Sequence, residues 1–414
     1  MQRIYLDNAA TTPLDKEVKQ AMEPYFGDTY GNPSSLHWFG QQARAAIDAS
    51  RETIANAIGA RFREVVFTGS ATEANNLALR GAVQSAKDTF SALNGDRPMK
   101  IIICTIEHDS VLETARDLEK EGVEVVRIPV ATDGTVDVRQ VEAALDERTV
   151  LVSIMYANNE IGTIQPIKEI ANSIKRFRAR ENALPYYPLF HTDAVQAFQF
   201  LDCAVDALGV DLMTLSAHKL YGPKGVGALY VRTMNSVAHT QGDRTSIIRP
   251  RVSGGGQEFG MRSGTENVAA IAGFAKAVTL IAQHKESEYK RLQLLRERLW
   301  KGIQDVCPKA IVNGKEMDSR VRGNDKPTLP NILNVYFPGR KGGDLLIALD
   351  MQGVAVSSGS ACAAFSAKPS HVLMALGFDD DRAGGSLRFS MGRHTTEDEI
   401  DGAIDALRVV LTAQ

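Results

Sequence analysis

Two residues of this 414-residue chain stand where strands of a sheet would end, and they carry groups suited to one kind of cofactor. Lys219 follows the apolar run Leu212–Ser216 and precedes a glycine-rich stretch, residues 221–227, where backbone can approach a ligand closely. A lysine amine in that position can form a Schiff base with an aldehyde cofactor. Asp193 ends a second run, Leu189–Asp193, and its carboxylate can hold the proton of a ring nitrogen.

A third group of residues is suited to phosphate. The run Glu64–Thr68 is followed by Gly69–Glu73, which opens a helix. Free N–H groups and the positive end of that helix, about half a charge, favour an anion there. Ser70 and Glu73 also fit a capping box, which needs no ligand. Each feature alone is more often structural, but the lysine, the aspartate and the helix start together indicate pyridoxal 5'-phosphate.

The elements that would position these residues alternate between short strands and longer helices. The predicted strands are Glu64–Thr68, Lys100–Thr105, Val123–Ile128, Val150–Tyr156, Leu189–Asp193, Leu212–Ser216 and Gly227–Arg232. The predicted helices between them include Ala71–Gln84, Ser110–Glu121, Val138–Leu145 and Ile167–Arg180. This alternation predicts an α/β fold with a mainly parallel sheet covered by helices on both faces. Ligands of such sheets bind beyond the carboxyl ends of the strands.

The pattern changes after Gly264. Residues 265–304 contain no proline and predict one long helix or a bent pair of helices. Charge density rises from Lys285 onward, which indicates a helix that leaves one core and enters another. A smaller α/β domain is then predicted from strands at Ile332–Tyr336 and Leu387–Ser390 and from helices at Gly343–Met351, Ser370–Gly377 and Glu397–Leu411.

The composition excludes several classes of protein. The net charge of −3, with 44% hydrophobic and 23% charged residues, is ordinary for a soluble globular protein and argues against a disordered, nucleic-acid-coating or membrane-binding chain. No signal segment and no long apolar run is present, so we predict a cytoplasmic protein. Cys104, Cys203 and Cys307 lack zinc spacing and are interpreted as small buried hydrophobes. A Rossmann dehydrogenase is excluded because no G-x-G-x-x-G follows an early strand.

Ten stretches between Tyr5 and Asp401 form a set that covers nearly the whole chain. They are YLDNAATTPLD, GNPSSLH, FTGSATEANNLAL, IEHDSVLE, VSIMYANNEIGTIQPI, HTDAVQ, DLMTLSAHKLYGPKGVGALYV, GGGQEFGMRSGTENV, VSSGSACA and SLRFSMGRHTTEDEID. This set resembles the NifS/IscS-type cysteine desulfurases, which belong to the class V aminotransferase group of fold-type-I pyridoxal-phosphate enzymes.

The resemblance implies a domain organisation and an assembly. Residues 1–15 would pack with the small domain, residues 16–284 would form the large cofactor-binding domain with a seven-stranded sheet, and residues 285–414 would form the small C-terminal domain. The small domain would carry a catalytic-cysteine loop at about residues 356–369. The protein would be a homodimer with active sites at the subunit interface.

The resemblance also implies roles for individual residues. Lys219 would hold the cofactor, Asp193 would pair with its ring nitrogen, and His108 would stack on the ring and accept the proton of the substrate thiol. The remaining contacts would be Asn159 and Gln196 at the ring hydroxyl, Ala71, Thr72, Ser216 and His218 at the phosphate, Thr265 at the phosphate of the neighbouring subunit, and Arg388 with Asn32 at the substrate carboxylate. No resident metal is implied.

Cys362 would be the nucleophile, taking the sulfur of L-cysteine as a persulfide and releasing L-alanine. The small residues of Ser357–Ala367 indicate a mobile segment, which would let that sulfur visit the cofactor and then an acceptor protein. The acceptor would be an iron–sulfur scaffold, with a transient cluster contact at Cys362, or a tRNA-thiolation relay.

Rival interpretations are a selenocysteine lyase, another class V lyase or transaminase, and a scaffold without turnover. Cys362 argues against a simple transaminase, while the presence of Lys219 and Asp193 argues against an inactive scaffold.

Overall fold

The computed structural model describes residues 3–94, 97–180, 186–233, 247–315, 328–359 and 369–412. Its strands are β1 (Ile4–Tyr5), β2 (Val65–Thr68), β3 (Lys100–Cys104), β4 (Glu124–Ile128), β5 (Thr149–Ser153), β6 (Leu189–Asp193), β7 (Leu212–Ser216), β8 (Gly227–Val231), β9 (Ile311–Val312), β10 (Ile332–Tyr336), β11 (Val354–Ala355) and β12 (Ser386–Ser390). Its α-helices are α1 (Lys16–Met22), α2 (Trp38–Ala57), α3 (Ala71–Asn94), α4 (Asp109–Lys120), α5 (Val138–Ala144), α6 (Ile167–Arg178), α7 (Val205–Leu208), α8 (Val268–Val306), α9 (Gly342–Met351), α10 (His371–Ala375), α11 (Asp380–Gly384) and α12 (Glu397–Thr412).

A seven-stranded sheet has the strand order β2-β8-β7-β6-β5-β3-β4. The strands from β7 to β4 pair in parallel, and β8 runs antiparallel to both of its neighbours. Alternate residues of one strand pack into two separate hydrophobic clusters, Ile102 into one and Ile101 with Ile103 into the other, so both faces are buried. The predicted seven-stranded, mainly parallel sheet is confirmed, and each predicted strand agrees within three residues at either end.

The C-terminal part of the chain adds two smaller sheets. β12, β10 and β9 form an antiparallel sheet, and β1 pairs in parallel with β11. The N-terminal strand therefore packs against a strand of the last third of the chain. The role predicted for residues 1–15 stays a prediction. The domain bounds at 15 and 284 stay a prediction.

Helix α8 joins the two parts. It is one continuous helix of 39 residues, about 58 Å long. Its first half is buried at nearly every apolar position, whereas its second half buries a stripe of positions spaced three or four residues apart: Tyr289, Leu292, Leu295, Arg296, Leu299 and Ile303. The long helix is confirmed, and the rise in charge after Lys285 coincides with the change to an amphipathic helix.

Helix α2 was not predicted from the sequence. Most of its residues are polar or small, so its apolar positions do not form a clear periodic pattern. Cys104 and Cys203 are buried as predicted, but Cys307 is half-buried because it caps the end of α8 at the surface. Among the described residues, no helix combines the length and the apolar character needed to cross a bilayer.

Two leucines of α8 test this account of its packing. Leu292 is fully buried, and Leu294 is 66% exposed on the same helix. Leu292→Ala is expected to lower the free energy of unfolding by about 2 to 5 kcal/mol, because it removes buried methyl groups and leaves a cavity. Leu294→Ala is the matched control and should change it by less than about 0.5 kcal/mol. Urea unfolding of both variants measures the difference, and equal losses would contradict the assigned face of the helix.

Candidate active site

The carboxyl ends of β6 and β7 bring the predicted lysine and aspartate to the same edge of the sheet. Asp193 is the last residue of β6, and the chain beyond β7 makes a 3-10 turn, Ala217–Lys219. The two strands pair in parallel with Asp193 opposite Thr214. Both functional groups therefore start from neighbouring strands at the edge where α/β sheets bind ligands.

The Lys219 amine is held by the N-terminal segment. Its Nζ donates to the backbone oxygens of Ala9, at 2.5 Å, and Ala10, at 2.6 Å. The side chain of Gln196 also donates to the oxygen of Ala9, at 3.0 Å. Lys219 and Gln196 thus converge on one carbonyl, and residues 9–10 form one wall of the site.

The Asp193 carboxylate is buried and held by two donors. Asn75 Nδ2 lies 2.8 Å from Oδ2, and the backbone N of Val195 lies 3.0 Å from Oδ1. Asn75 belongs to α3 and also donates to Ser110 Oγ at 2.8 Å. These bonds fix the plane of the carboxylate, which points from a strand end into the region between α3 and α4.

His108 lies at the end of the same chain of hydrogen bonds. It is the N-cap of α4, and its Nδ1 lies 2.8 Å from Ser110 Oγ and accepts the backbone N–H of Ser110 at 3.1 Å. Because Nδ1 accepts that N–H, the neutral ring carries its proton on Nε2. Asp193, Asn75, Ser110 and His108 therefore form one connected network.

The start of α3 has the features of an anion site. Ser70 Oγ accepts the N–H of Glu73, as in the predicted capping box, but Glu73 Oε2 accepts the N–H of Gly69 rather than that of Ser70, so only the first half of the box is present. The backbone N–H groups of Ala71 and Thr72 have no protein acceptor among the described residues, and Thr72 is exposed. The cap and a phosphate site are therefore compatible, since the cap leaves the backbone N–H groups of Ala71 and Thr72 free to bind an anion.

Of the two further predicted phosphate ligands, Ser216 lies beside this turn and His218 contacts the N-terminal segment. Ser216 ends β7 and pairs with Gly227 of β8, and a Cβ at Gly227 would lie 2.7 Å from the carbonyl carbon of Ser70. Only glycine lets the strand approach the helix start so closely. His218 Nδ1 lies 3.2 Å from Thr11 Oγ1. Burial, with the charges of Lys219 and Lys224, lowers the pKa of His218 to about 4, so its ring is neutral at pH 7.

Arg388 joins three remote parts of the chain. It lies on β12 with its side chain 1% exposed, and its guanidinium donates to Asp7 Oδ1 at 2.7 Å and to the backbone oxygen of Asn159 at 2.9 Å. Its Nε is buried without a partner in the described structure. The predicted substrate-binding arginine thus stands where the N-terminal segment, the loop after β5 and strand β12 meet.

Two predicted residues of the described chain are not brought into this cluster. Asn32 and Thr265 are exposed, and no contact with the residues above is present in the described parts of the chain. Asn32 Oδ1 accepts the N–H of Ser34 at 2.9 Å. Cys362 lies outside the described residues. Its described flanks are near the site, since Ser357 pairs with Arg388.

Residues 4–402 match the family described as Aminotransferase class-V. The chain belongs to this family. It is 42% identical over 410 residues to a protein of Dictyoglomus turgidum named cysteine desulfurase IscS, which covers 99% of this chain and 95% of that relative. Among solved structures it is similar to a NifS-like protein, with 35% identity, a TM-score of 0.84 and full coverage of both chains. It is also similar to SspA in complex with cysteine, with 33% identity, a TM-score of 0.75, and coverage of 95% of this chain and all of that one.

Class-V aminotransferases depend on pyridoxal 5'-phosphate, which is therefore the cofactor of this chain. The residues present fit it. A buried carboxylate, a lysine amine and unpaired helix N–H groups meet at one sheet edge, and they match the ring nitrogen, the aldehyde and the phosphate. The assignment of Asp193, Lys219, Ala71 and Thr72 to these three groups is our proposal.

One site residue of this class-V aminotransferase was missed by the sequence interpretation. Glu107 is fully buried next to His108, and its Oε1 accepts the backbone N–H of Met155 at 2.7 Å and lies 2.9 Å from Cys104 Sγ. Burial, reinforced by the charge of nearby Asp193, raises the pKa of Glu107 to about 8. Glu107 is therefore mostly a neutral acid at pH 7.

The network partners were also missed. Asn75 lies one turn beyond Ala71 on α3, and a buried amide on a face that otherwise carries alanine and leucine is the available signal. Asp7 and Ser110 occur in the stretches that carry the family resemblance, but neither has a spacing that points to its partner, because those partners are remote in sequence.

The neutral state of Glu107 predicts a pH dependence of stability. The folded protein keeps a proton that the unfolded chain releases above its ordinary pKa of 4.5, so the free energy of unfolding should fall as pH rises from 4.5 to about 8. The slope from this group is at most about 1.4 kcal/mol per pH unit. Glu107→Gln cannot ionise and should lack this part of the slope.

The measurement is urea unfolding of the wild type and the variant at several pH values with equal cofactor loading. Glu113→Gln, an exposed carboxylate on α4, is the control and should follow the wild-type curve. Parallel curves for the wild type and Glu107→Gln between pH 5 and 8 would show that Glu107 is ionised in the folded protein.

Proposed function

We propose that this chain is a cysteine desulfurase that transfers the sulfur of L-cysteine to Cys362 and releases L-alanine. The reaction balances as L-cysteine plus the Cys362 thiol giving L-alanine plus a Cys362 persulfide, so it needs no outside oxidant or reductant. The observation that carries the proposal is the pairing of Lys219 and Asp193 at one sheet edge, in a chain 42% identical over 99% of its length to a named cysteine desulfurase.

Lys219 is placed to move a proton. Bound pyridoxal 5'-phosphate stabilises the electron pair left when a substrate loses its Cα proton. The amine of Lys219 is the base that takes this proton. The carbonyls of Ala9 and Ala10, both within 2.6 Å of Nζ, then stabilise the resulting ammonium because carbonyl oxygens accept hydrogen bonds best from a charged donor.

Asp193 holds the proton of the ring nitrogen in this proposal. Its burial removes water that would compete for that proton, and the bonds from Asn75 and Val195 keep the carboxylate from turning away. The neutral state of Glu107 avoids a second negative charge in the same buried region.

His108 is oriented as a donor. The N–H of Ser110 occupies Nδ1, so the free nitrogen Nε2 carries a proton when the ring is neutral. The acceptor role predicted from the sequence would require the Ser110 bond to break. We therefore assign His108 a donor role at Nε2 toward the substrate or the ring.

Arg388 binds the substrate carboxylate in this proposal. Its guanidinium already faces a carboxylate, that of Asp7, and keeps one buried N–H without a partner. A substrate carboxylate could share or replace the Asp7 contact, since a planar guanidinium suits two-point recognition. The solved structure of SspA with cysteine supports an amino-acid substrate of this size.

The flanks of the segment that carries Cys362 support its role. Ser370 Oγ donates to Glu160 Oε2 at 2.5 Å, and His371 Nε2 lies 3.0 Å from the backbone oxygen of Glu107. These bonds tie the residues after the segment to the loops that carry His108 and Asn159. We propose that the persulfide then passes to a cytoplasmic acceptor protein, such as an iron–sulfur scaffold or a tRNA-thiolation relay.

We also propose a homodimer in which Thr265 reaches the neighbouring cofactor phosphate. Exposed apolar side chains cluster ahead of and at the start of α2: Phe26, Tyr30, Leu36, Trp38 and Phe39, each at least 42% exposed. Arg44, on the same helix, lies 3.8 Å from Glu266, the residue after Thr265. The apolar cluster and Thr265 are therefore linked through one helix, which favours a second copy of the chain as the occupant.

Substitution of the cysteines tests the proposed reaction. Cys362→Ser should keep the absorbance of lysine-bound cofactor but lower sulfide release from L-cysteine with dithiothreitol by about 10²-fold or more, because the nucleophile is gone. Lys219→Ala should abolish that absorbance. Cys307→Ser, a half-buried cysteine outside the site, is the control and should keep both. Unchanged turnover in Cys362→Ser, or persulfide mapped to another cysteine by mass spectrometry, would place the nucleophile elsewhere.

A charge in the apolar cluster tests the dimer. Trp38→Asp should increase the monomer fraction in sedimentation and weaken cofactor retention, since Thr265 would no longer reach its partner. Ile347→Asp is the matched control on α9, where the side chain is also 60% exposed, and should change neither property. A wild-type monomer with full activity would contradict the shared site.

A further inference from the structure

We propose that the buried ion pair between Arg51 and Glu258 is a positioning pair that presents Thr265 to the cofactor phosphate of the neighbouring subunit. The inference rests on the homodimer of the proposed function and deepens it. It concerns residues 256–265, which we call the presenting segment.

The pair is buried and bidentate. Arg51 Nη1 lies 2.7 Å from Glu258 Oε2, Nη2 lies 2.7 Å from Oε1, and the two side chains are 0% and 1% exposed. The guanidinium is also packed among the rings of Phe62, Phe67 and Phe259, with centroids 4.7 to 5.5 Å away. A charge held in this way has one geometry, because moving it would leave an ion buried without a partner.

The same carboxylate completes the edge of the large sheet. Glu258 Oε2 accepts the backbone N–H of Phe67 at 2.8 Å, and Arg51 Nη1 donates to the backbone oxygen of Val65 at 2.5 Å. β2 is the edge strand, so these groups would otherwise lack sheet partners there. The presenting segment is thereby attached to the edge strand β2 through Glu258.

The backbone at the pair adopts a conformation that side chains disfavour. Glu258 and Phe259 have φ values of 49° and 59°, in the left-handed region. Neither residue is glycine or asparagine, so the surroundings must hold this conformation. The ion pair holds Glu258, and packing on the guanidinium holds Phe259. Without the ion pair, the contacts that hold Glu258 and Phe259 in this conformation are lost, and the sharp turn is expected to relax.

Thr265 lies at the far end of this segment. Gly264, beside it, donates its N–H to Gln257 Oε1 at 3.0 Å, so the end is tied back to the residue before Glu258. Arg44 and Arg51 lie seven residues apart on one face of α2 and contact Glu266 and Glu258, on either side of the threonine. Thr265 is exposed and has no hydrogen-bond partner in the described chain. The Thr265 side chain is therefore available to bind a group of the neighbouring subunit.

The structure also offers an alternative role for the Arg51–Glu258 pair within its own subunit. Arg262 Nε, from the presenting segment, lies 2.8 Å from Glu73 Oε1 in the first turn of α3. Through this contact, the Arg51–Glu258 pair would support the phosphate site of its own subunit rather than that of the neighbour. The two roles make opposite predictions in heterodimers.

The test uses heterodimers in which only one subunit has Lys219, so the absorbance of lysine-bound cofactor reports one site. In the first arrangement, Lys219→Ala and Glu258→Gln are in one subunit and the other is wild type. The reporting site then receives Thr265 from the altered segment, and its affinity for pyridoxal 5'-phosphate should fall about tenfold or more. In the second arrangement, Glu258→Gln lies in the subunit that keeps Lys219, and the affinity should equal that of a heterodimer with Lys219→Ala alone.

A loss confined to the second arrangement, equal losses in both, or no loss in either would overturn the inference. Thr265→Ala in the first arrangement separates it from the proposed function. If Thr265→Ala weakens binding there and Glu258→Gln does not, only the positioning role fails. If Thr265→Ala also has no effect, the contribution of the neighbour fails as well.

Two further variants guard against a folding defect. Arg51→Lys keeps the charge but not the two-point contact, and it should give a smaller loss in the same arrangement if Glu258→Gln does not assemble. Arg296 is also a buried arginine, and it donates to the backbone oxygen of Leu329. Arg296→Lys is the matched control and should not change cofactor affinity. Sedimentation and circular dichroism confirm that each heterodimer is folded and dimeric.

Discussion

A carboxylate buried at the end of β6 is the constraint around which the candidate site is built. Asp193 is removed from water, so its charge needs donors with fixed positions. The protein supplies Asn75 and the backbone of Val195, and it keeps the neighbouring Glu107 neutral. Because Asn75 belongs to α3, the helix that opens the phosphate turn cannot shift without disturbing this charge. In the proposed assignment, the same hydrogen bond therefore fixes the position of the group that holds the cofactor ring relative to the group that holds its phosphate.

Contacts between remote parts of the chain are needed because the parallel sheet alone does not enclose the candidate site. Its carboxyl edge positions Asp193 and Lys219, but the edge is open above the strands. The N-terminal segment closes it, since the carbonyls of Ala9 and Ala10 hold the lysine while Asp7 holds Arg388 of β12. Strand β1 pairs with β11 and fixes that segment in place. Residues near both ends of the chain therefore meet at one site.

The sequence predicted the elements well where a pattern is local. Continuous apolar strands and a proline-free helix from Val268 to Val306 depend on neighbouring residues, and their limits agree closely with the structure. The partners of the functional groups could not be found in this way. Asn75 and Asp193 are 118 residues apart, and Asp7 and Arg388 are 381 apart, so only the fold reveals the contacts. Which ring nitrogen of His108 carries the proton likewise depends on a contact that only the fold reveals, the bond from the backbone N–H of Ser110 to Nδ1.

The presenting segment shows why a buried ion pair can be retained where an apolar cluster would pack as well. Replacing Arg51 and Glu258 with apolar residues could keep the core filled, since such swaps are often neutral for stability. It would remove the acceptor for the N–H of Phe67 and the donor for the oxygen of Val65, leaving the sheet edge unsatisfied. It would also release a turn held in the left-handed region. The pair is thus better explained by the single geometry it imposes than by the stability it adds.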